Sequence, residues 1–73
     1  MPPTAEQWLD AFAAALGLPA PSADERDAAL RLASVAAHAS ERRAAPIACW
    51  LAATAGVPLD EARARAEALD LPG

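Results

Sequence analysis

Residues 22–46 read SADERDAALRLASVAAHASERRAAP, and this stretch decides the fold. Ser22 and Glu25 have the S-x-x-E spacing of a capping box, which predicts that a helix begins at residue 23. Apolar side chains recur at helical spacing and predict one main buried face, made of Ala28, Ala29, Leu32, Val35, Ala36 and Ala39. Polar side chains line another side of the same helix, at Asp27, Arg31, Ser34, His38 and Arg42. The pattern predicts a long central helix over residues 23–42.

Three shorter helices are expected around the central one, over residues 5–16, 46–55 and 59–69. Thr4 and Gln7 form a second capping box, and Gly17 supplies the positive φ that a helix terminus needs. Pro46 and Pro58 suit helix starts, because a proline in the first turn forfeits no helical hydrogen bond. The chain lacks the alternating apolar pattern of β-strands. We therefore expect a single all-α domain over residues 1–73, a compact bundle of about four short helices.

The charge and hydropathy patterns exclude several classes of protein. The net charge is −4 and there is no lysine, which disfavours nucleic acid as a partner because phosphate neutralisation dominates that affinity. No apolar run approaches the roughly 18 residues of a transmembrane helix. The first residues also lack the charged and apolar regions of a signal peptide. We expect a cytoplasmic protein without a membrane or nucleic-acid partner.

The core is expected to be thin, because 23 of the 73 residues are alanine. Domains of this length usually need a disulfide, a metal, an oligomer or very regular helix packing to be stable. Cys49 is the only cysteine, so an intrachain disulfide is excluded. One histidine and one cysteine are also too few for a structural zinc site. We therefore expect the chain to form a homo-oligomer or to bind a protein partner.

The candidate ligand or partner site consists of His38, Glu41, Arg42 and Trp50. If the central helix runs through residue 42, the first three lie together on its surface, at positions i, i+3 and i+4. Arginine suits bidentate contacts to phosphate, so this group with the Trp50 ring is a candidate site for an anionic pterin or nucleotide. Two structural alternatives stay open. In the first, the positive charges of His38 and Arg42 complement the C-terminus of the central helix. In the second, a His38–Glu41 pair fixes the turn into Pro46.

The other conspicuous side chains favour structural roles. Cys49 near the start of a helix is a conceivable nucleophile, but a lone cysteine is usually a small buried apolar residue. Trp8 and Trp50 would suit the wall of a ligand site, although two tryptophans in a small domain are usually its largest core residues. His38 and Glu41 supply too few metal ligands unless an oligomer doubles them. Because no phosphate-binding glycine loop or catalytic motif occurs, we expect no enzymatic activity, no metal and no cofactor.

Two motifs resemble a known family. They are Trp8-Leu9-Asp10-Ala11-Phe12 with Leu16-Gly17-Leu18 behind it, and Ala37-His38-x-x-Glu41-Arg42-x-Ala44-Ala45-Pro46 followed by Trp50-Leu51. The family is a small all-helical bacterial domain of unknown function, found alone or fused to a molybdenum-cofactor guanylyltransferase. The resemblance implies an association with molybdenum-cofactor maturation. His38, Glu41 and Arg42 are the positions that match the family's motif.

The expected function is that of a non-catalytic accessory or interaction domain that self-associates. Through the resemblance, it would serve molybdenum-cofactor (guanine dinucleotide) biosynthesis or molybdoenzyme maturation. Its expected partners are a second copy of itself and a molybdenum-cofactor guanylyltransferase or molybdoenzyme maturation factor. Two alternatives stay open. One is a domain that binds a nucleotide or pterin through His38 and Arg42, and the other is a structural helical homo-oligomer.

Overall fold

The computed structural model describes residues 1–70, and four helices make up most of this part of the chain. They are α1 (Ala5–Ala15), α2 (Ala23–Ala39), α3 (Ala44–Ala55) and α4 (Leu59–Glu67). Residues 1–70 contain no β-strand. The prediction of an all-α bundle of about four short helices is confirmed.

The helix α2 is central, as predicted, because it packs against both α3 and α4. Its buried residue is Leu32, which is only 2% exposed. The other buried apolar residues of the described chain are Ala13 on α1 and Ala52 on α3. Since an alanine buries little area, Leu32 supplies most of the apolar burial at the centre of the bundle.

Both predicted capping boxes are present. The Thr4 hydroxyl accepts a hydrogen bond from the Gln7 N–H at 3.1 Å, and the Gln7 side-chain oxygen accepts one from the Thr4 N–H at 2.9 Å. At the start of α2, the Ser22 hydroxyl and the Glu25 carboxylate make the equivalent pair of bonds at 3.1 and 2.7 Å. These bonds satisfy backbone N–H groups that have no partner inside the helix.

Glycines end α1 and α3 in the same way. Gly17 and Gly56 have φ values of 73° and 70°, in the left-handed region that favours glycine. Beyond Gly17, the N–H of Leu18 donates to the carbonyl of Ala13 at 2.9 Å, which closes a Schellman motif. The expected glycine terminus of α1 is confirmed, and α3 ends at its glycine as expected.

The helix α2 ends at Ala39, three residues before the expected end at residue 42. The N–H of Ser40 still donates to the carbonyl of Ala36, but Ser40 itself has φ −137° and ψ −99° and leaves the helical conformation. Residues 41–43 therefore belong to the connection between α2 and α3 rather than to a helix.

The helix α3 begins at Ala44, two residues before the expected start at Pro46. The N–H groups of Ala44 and Ala45 donate to the carbonyls of Glu41 and Arg42, at 2.9 and 3.1 Å. This turn supplies partners for the first N–H groups of α3 without a side-chain cap. Pro46 is then the third helical residue, where its missing N–H still costs nothing because the first four N–H groups lack helical partners.

The bundle is elongated, with extents of 43 × 28 × 18 Å. Its radius of gyration is 13.4 Å, whereas a globular domain of this length is expected near 11 Å. The difference fits the sparse packing of α1, which contributes only Ala13 to the buried residues. The helices α2, α3 and α4 form the closely packed part of the structure.

Replacing Leu32 with alanine tests whether this residue is the centre of the core. The variant Leu32→Ala should lose about 2–5 kcal/mol of unfolding free energy, because a buried leucine is replaced by a cavity. The matched control is Leu30→Ala, a leucine on the same helix that is 67% exposed, and it should change stability by no more than about 0.5 kcal/mol. Urea denaturation at one fixed protein concentration measures both, and equal losses would contradict this account of the core.

Lowering the pH should weaken the start of α2 through Glu25. The Ser22 backbone N–H, and then its hydroxyl, hold the pKa of the Glu25 carboxyl below its usual value. A carboxyl whose pKa is lowered in the folded state stabilises the fold above its unfolded pKa and loses that contribution as the pH falls.

The test compares the wild-type chain with Glu25→Gln. Between about pH 6 and about pH 3, the unfolding free energy of Glu25→Gln should fall less than that of the wild-type chain, because glutamine keeps a capping oxygen but does not titrate. Asp24→Asn is the matched control in the same helical turn, since Asp24 takes no part in the capping box. Identical pH profiles for wild type and Glu25→Gln would exclude this role for Glu25.

Candidate functional site

An apolar groove is formed by α2, α3, the end of α4 and the residues that follow α4. Its volume is about 750 Å³. The apolar groove is defined by its floor of Val35, Ala36, Ile47, Ala48, Leu51 and Leu69. Its mouth carries the charged side chains of Glu41, Arg43 and Asp70.

The alternation of large and small residues on α3 explains why this groove exists. Ile47 and Leu51 are one helical turn apart and share a face, while Ala48 lies between them towards α2. Ala36 on α2 also lines the groove. Because these alanines carry only a methyl group, the space between the helices is not filled, and Ile47 and Leu51 stay more than half exposed.

A second groove, of about 650 Å³, separates α1 from the start of α2. Leu9, Leu18, Leu30 and Leu59 contribute its apolar lining. This gap reflects the loose packing of α1 against the start of α2. Leu9 is the least exposed large apolar residue of α1, and Ala13 is its buried alanine. The side of α1 on which they lie therefore faces the rest of the chain.

His38 lies near the end of α2 and is exposed. Its Nδ1 is 2.8 Å from the backbone carbonyl oxygen of Ser34 and 3.1 Å from the Ser34 hydroxyl. The bond to the carbonyl requires Nδ1–H as the donor and so selects this tautomer. The polar partners of His38 therefore come from its own helix, one turn away.

Glu41 and Arg42 do not continue the surface on which His38 lies, because α2 ends at Ala39. Glu41 accepts a hydrogen bond from the Arg43 Nε at 2.7 Å, so its ion-pair partner is Arg43 rather than His38 or Arg42. Arg42 is exposed in the turn before α3. The structure thus does not place the three motif residues on one helical face, and of the three only Glu41 lines the apolar groove.

Trp50 lies on α3 but outside the groove, and 64% of it is exposed. Trp8 on α1 is 54% exposed and stacks on Phe12, with the ring centroids 5.0 Å apart. The interpretation of the two tryptophans as the largest core residues is therefore wrong. The reason is that α3 turns Ala52 inwards, so the indole of Trp50 is left on the outer side of the helix.

Cys49 takes the small apolar role that a lone cysteine usually has. It is half-buried on α3, and its Sγ lies 3.8 Å from the backbone carbonyl oxygen of Ala29 on α2. Residues 1–70 hold no group of three or more histidine, cysteine, aspartate or glutamate side chains that could bind a metal ion. None of the helices in that range is long and apolar enough to cross a membrane.

The groove was not recognised from the sequence, although its signal was present. Ile47 and Leu51 are four residues apart, which predicts that they share one apolar face of the third helix. Spacing identifies an apolar face but does not tell whether that face meets the chain's own core or remains open. An apolar floor with an ion pair at its mouth is suited to binding the apolar side of a helix.

Comparison with known proteins gives the family but no activity. No curated protein and no solved structure shows significant similarity to the chain. The expectation of a small domain of unknown function is confirmed, since residues 1–71 match the family model described as a domain of unknown function (DUF6457). No catalytic family is indicated by this match. The chain belongs to the DUF6457 family.

Proposed function

We propose that the chain is a non-catalytic interaction domain of the cytoplasm that works by self-association. The observation that carries the proposal is the size of its exposed surface. The chain exposes 5792 Å², whereas a folded monomer of 7.5 kDa is expected to expose about 4,200 Å². The chain therefore exposes roughly 1,500 Å² more than a compact monomer of its mass would.

The exposed surface is apolar where a monomer would be polar. More than half of each of several large apolar side chains is exposed, namely Trp8, Leu16, Leu30, Ile47, Trp50 and Leu51. Isolated exposed apolar residues are normal, but extended apolar patches mark interaction sites in soluble proteins. Two helices, α1 and α3, carry most of these side chains, so they are the proposed interaction elements.

A second copy is the partner that the composition favours. Among residues 1–70 only one large side chain is buried, so the domain has little core of its own, and association supplies the missing apolar burial. The single cysteine rules out an intrachain disulfide as the alternative source of stability. These considerations support an obligate or near-obligate homo-oligomer.

The biological setting is proposed from the resemblance of the Ala37–Pro46 motif. That resemblance connects the domain with a molybdenum-cofactor guanylyltransferase, and so with molybdenum-cofactor biosynthesis or molybdoenzyme maturation. In this setting the domain would be an accessory module that brings its enzyme partner into an assembly. Arg42 and Trp50, both exposed, are the motif-region residues available for such a contact.

The ligand-binding alternative has less support. It needs His38, Arg42 and Trp50 to surround one nucleotide or pterin. His38 is held by Ser34, Arg42 follows the end of α2, and none of the three lines the apolar groove. Binding of a nucleotide or pterin therefore stays a prediction of the sequence.

Sedimentation equilibrium should show a dimer or a larger oligomer at micromolar concentration. Because association supplies apolar burial that the monomer lacks, the melting temperature should rise with protein concentration. Far-UV circular dichroism over a dilution series measures the same coupling. A monomer whose melting temperature is independent of concentration would contradict the proposed function.

The proposed setting predicts binding to a bacterial molybdenum-cofactor guanylyltransferase. Mixed with the chain, such an enzyme should sediment faster than it does alone. The variant Arg42→Ala should weaken the complex, whereas Arg31→Ala, an exposed arginine on α2 outside the motif, should not. Unchanged sedimentation of the wild-type mixture would exclude this partner while leaving self-association in place.

A further inference from the structure

The polar interactions that hold α1 together all lie within its own segment. Its capping box and its Schellman motif are both made by residues 4–18. Within the part of the chain that the structure describes, no hydrogen bond or ion pair connects residues 1–18 with residues 22–70. Apart from the peptide chain itself, α1 is therefore attached to the bundle by apolar contact.

This apolar contact is small. The helix α2 packs on both α3 and α4, and no pairing of α1 with another helix reaches that extent. Ala13, which is 8% exposed, is the buried residue of α1. The second groove, of about 650 Å³, separates α1 from the start of α2. Since the free energy of apolar contact follows the area buried, the separation of α1 from the bundle costs little.

The start of α2 is complete without α1. The Arg26 Nη1 donates a hydrogen bond to the carbonyl oxygen of Pro21 at 3.1 Å, which attaches the end of the connection to α2. Ser22 and Glu25 complete the capping box of α2 with their own atoms. Pro19 and Pro21 interrupt the helical hydrogen bonding between α1 and α2. Unfolding of α1 therefore has no hydrogen-bonded route into α2.

We propose that α1 is a strap that opens by local unfolding while α2, α3 and α4 stay folded, and that its opening uncovers the apolar lining of the second groove. That lining includes Ala29 on α2 and Leu59 at the start of α4, which are half-buried while α1 is in place. Once separated, α1 loses its helical structure, because an isolated helix of 11 residues is marginal in water. The opening is a property of a single chain and does not depend on the proposed self-association.

The two tryptophans report on the two parts of the chain separately. Trp8 lies on α1 and stacks on Phe12, whereas Trp50 lies on α3. Trp50→Phe leaves Trp8 as the single indole, and Trp8→Phe leaves Trp50. In a urea titration, the fluorescence of Trp8 should change at a lower urea concentration than that of Trp50, because the two side chains belong to units of different stability.

The control for this pair is far-UV circular dichroism. Its main transition should fall at the same urea concentration in both variants, which shows that neither substitution has changed the stability of the bundle. Fluorescence midpoints that coincide for Trp8 and Trp50 would mean that the chain unfolds as one cooperative unit, and they would overturn the proposal.

Amide hydrogen exchange tests the same opening in the unmodified chain. The amide of Phe12 on α1 should be protected at least about 30-fold less than the amide of Leu32 on α2. The measurement is made at the lowest protein concentration at which the chain is folded, so that association adds no protection. Equal protection of the two amides would overturn the proposal.

A matched pair of variants separates the strap from the core. Ala13→Glu and Ala52→Glu place the same carboxylate at two alanines that are 8% and 7% exposed, where an unpaired charge is costly. In Ala13→Glu, the protection of the α1 amides should be lost while that of Leu32 falls by no more than about 3-fold. In Ala52→Glu, the protection of Leu32 should fall by at least about 10-fold, because α3 belongs to the unit that stays folded.

The Ala13→Glu variant also tests whether the groove lining is uncovered. It should bind the apolar dye anilinonaphthalene sulfonate more strongly than the wild-type chain, and unchanged dye binding would contradict the uncovering. Loss of Leu32 protection in Ala13→Glu, or failure of this variant to fold, would show that α1 is part of the core and overturn the strap. A wild-type chain that is monomeric would contradict the proposed function and leave the strap in place.

Discussion

The burial of Leu32 on α2 is the interaction on which the rest of the structure depends. Leu32 is the one residue larger than alanine that is buried among residues 1–70, and its helix is the one that packs on both α3 and α4. Full burial of a leucine contributes about 1.5–3 kcal/mol. Stable domains have a net stability of about 5–15 kcal/mol after the conformational entropy has been overcome. One buried leucine and two buried alanines contribute only a small part of that stability. The chain therefore requires further apolar burial to be stable.

The alanine content explains both the packing and the exposed surface. Ala52 lets α3 approach α2 on its buried side, whereas the small side chains of Ala36 and Ala48 leave the groove beside that contact unfilled. Trp50 and Leu51 must then lie elsewhere on α3, and they lie where solvent or a partner reaches them. The close packing of the bundle and its apolar exterior therefore have the same cause.

The local features of the fold could be predicted from the sequence because they depend on neighbours in the chain. The capping boxes of Thr4 and Ser22 connect residues three positions apart, and the glycine termini follow from the positive φ that Gly17 and Gly56 adopt. Such bonds form whatever the rest of the protein does. This is why the four helices and their order agree with the prediction.

The features that were not predicted depend on the tertiary structure. The apolar spacing of α1 and α3 does not tell whether Trp8 and Trp50 meet the chain's own core, and both are exposed. The polar stripe continues in the sequence to Arg42 and so predicts a helix through residue 42, whereas in the structure α2 ends at Ala39 and the turn before α3 follows Ser40. That change separates His38 from Glu41, and it accounts for the difference between the expected site and the observed one.

The connection between α1 and α2 explains why α1 does not cover the apolar groove of its own chain. Leu18-Pro19-Ala20-Pro21 contains two prolines, each of which fixes its own φ and keeps the preceding residue extended. The direction of α1 is thereby restricted, and α1 lies beside the start of α2 instead of in the apolar groove. The groove and the outer side of α1 therefore both remain uncovered within one chain, and their apolar side chains are the ones that the proposed self-association would bury.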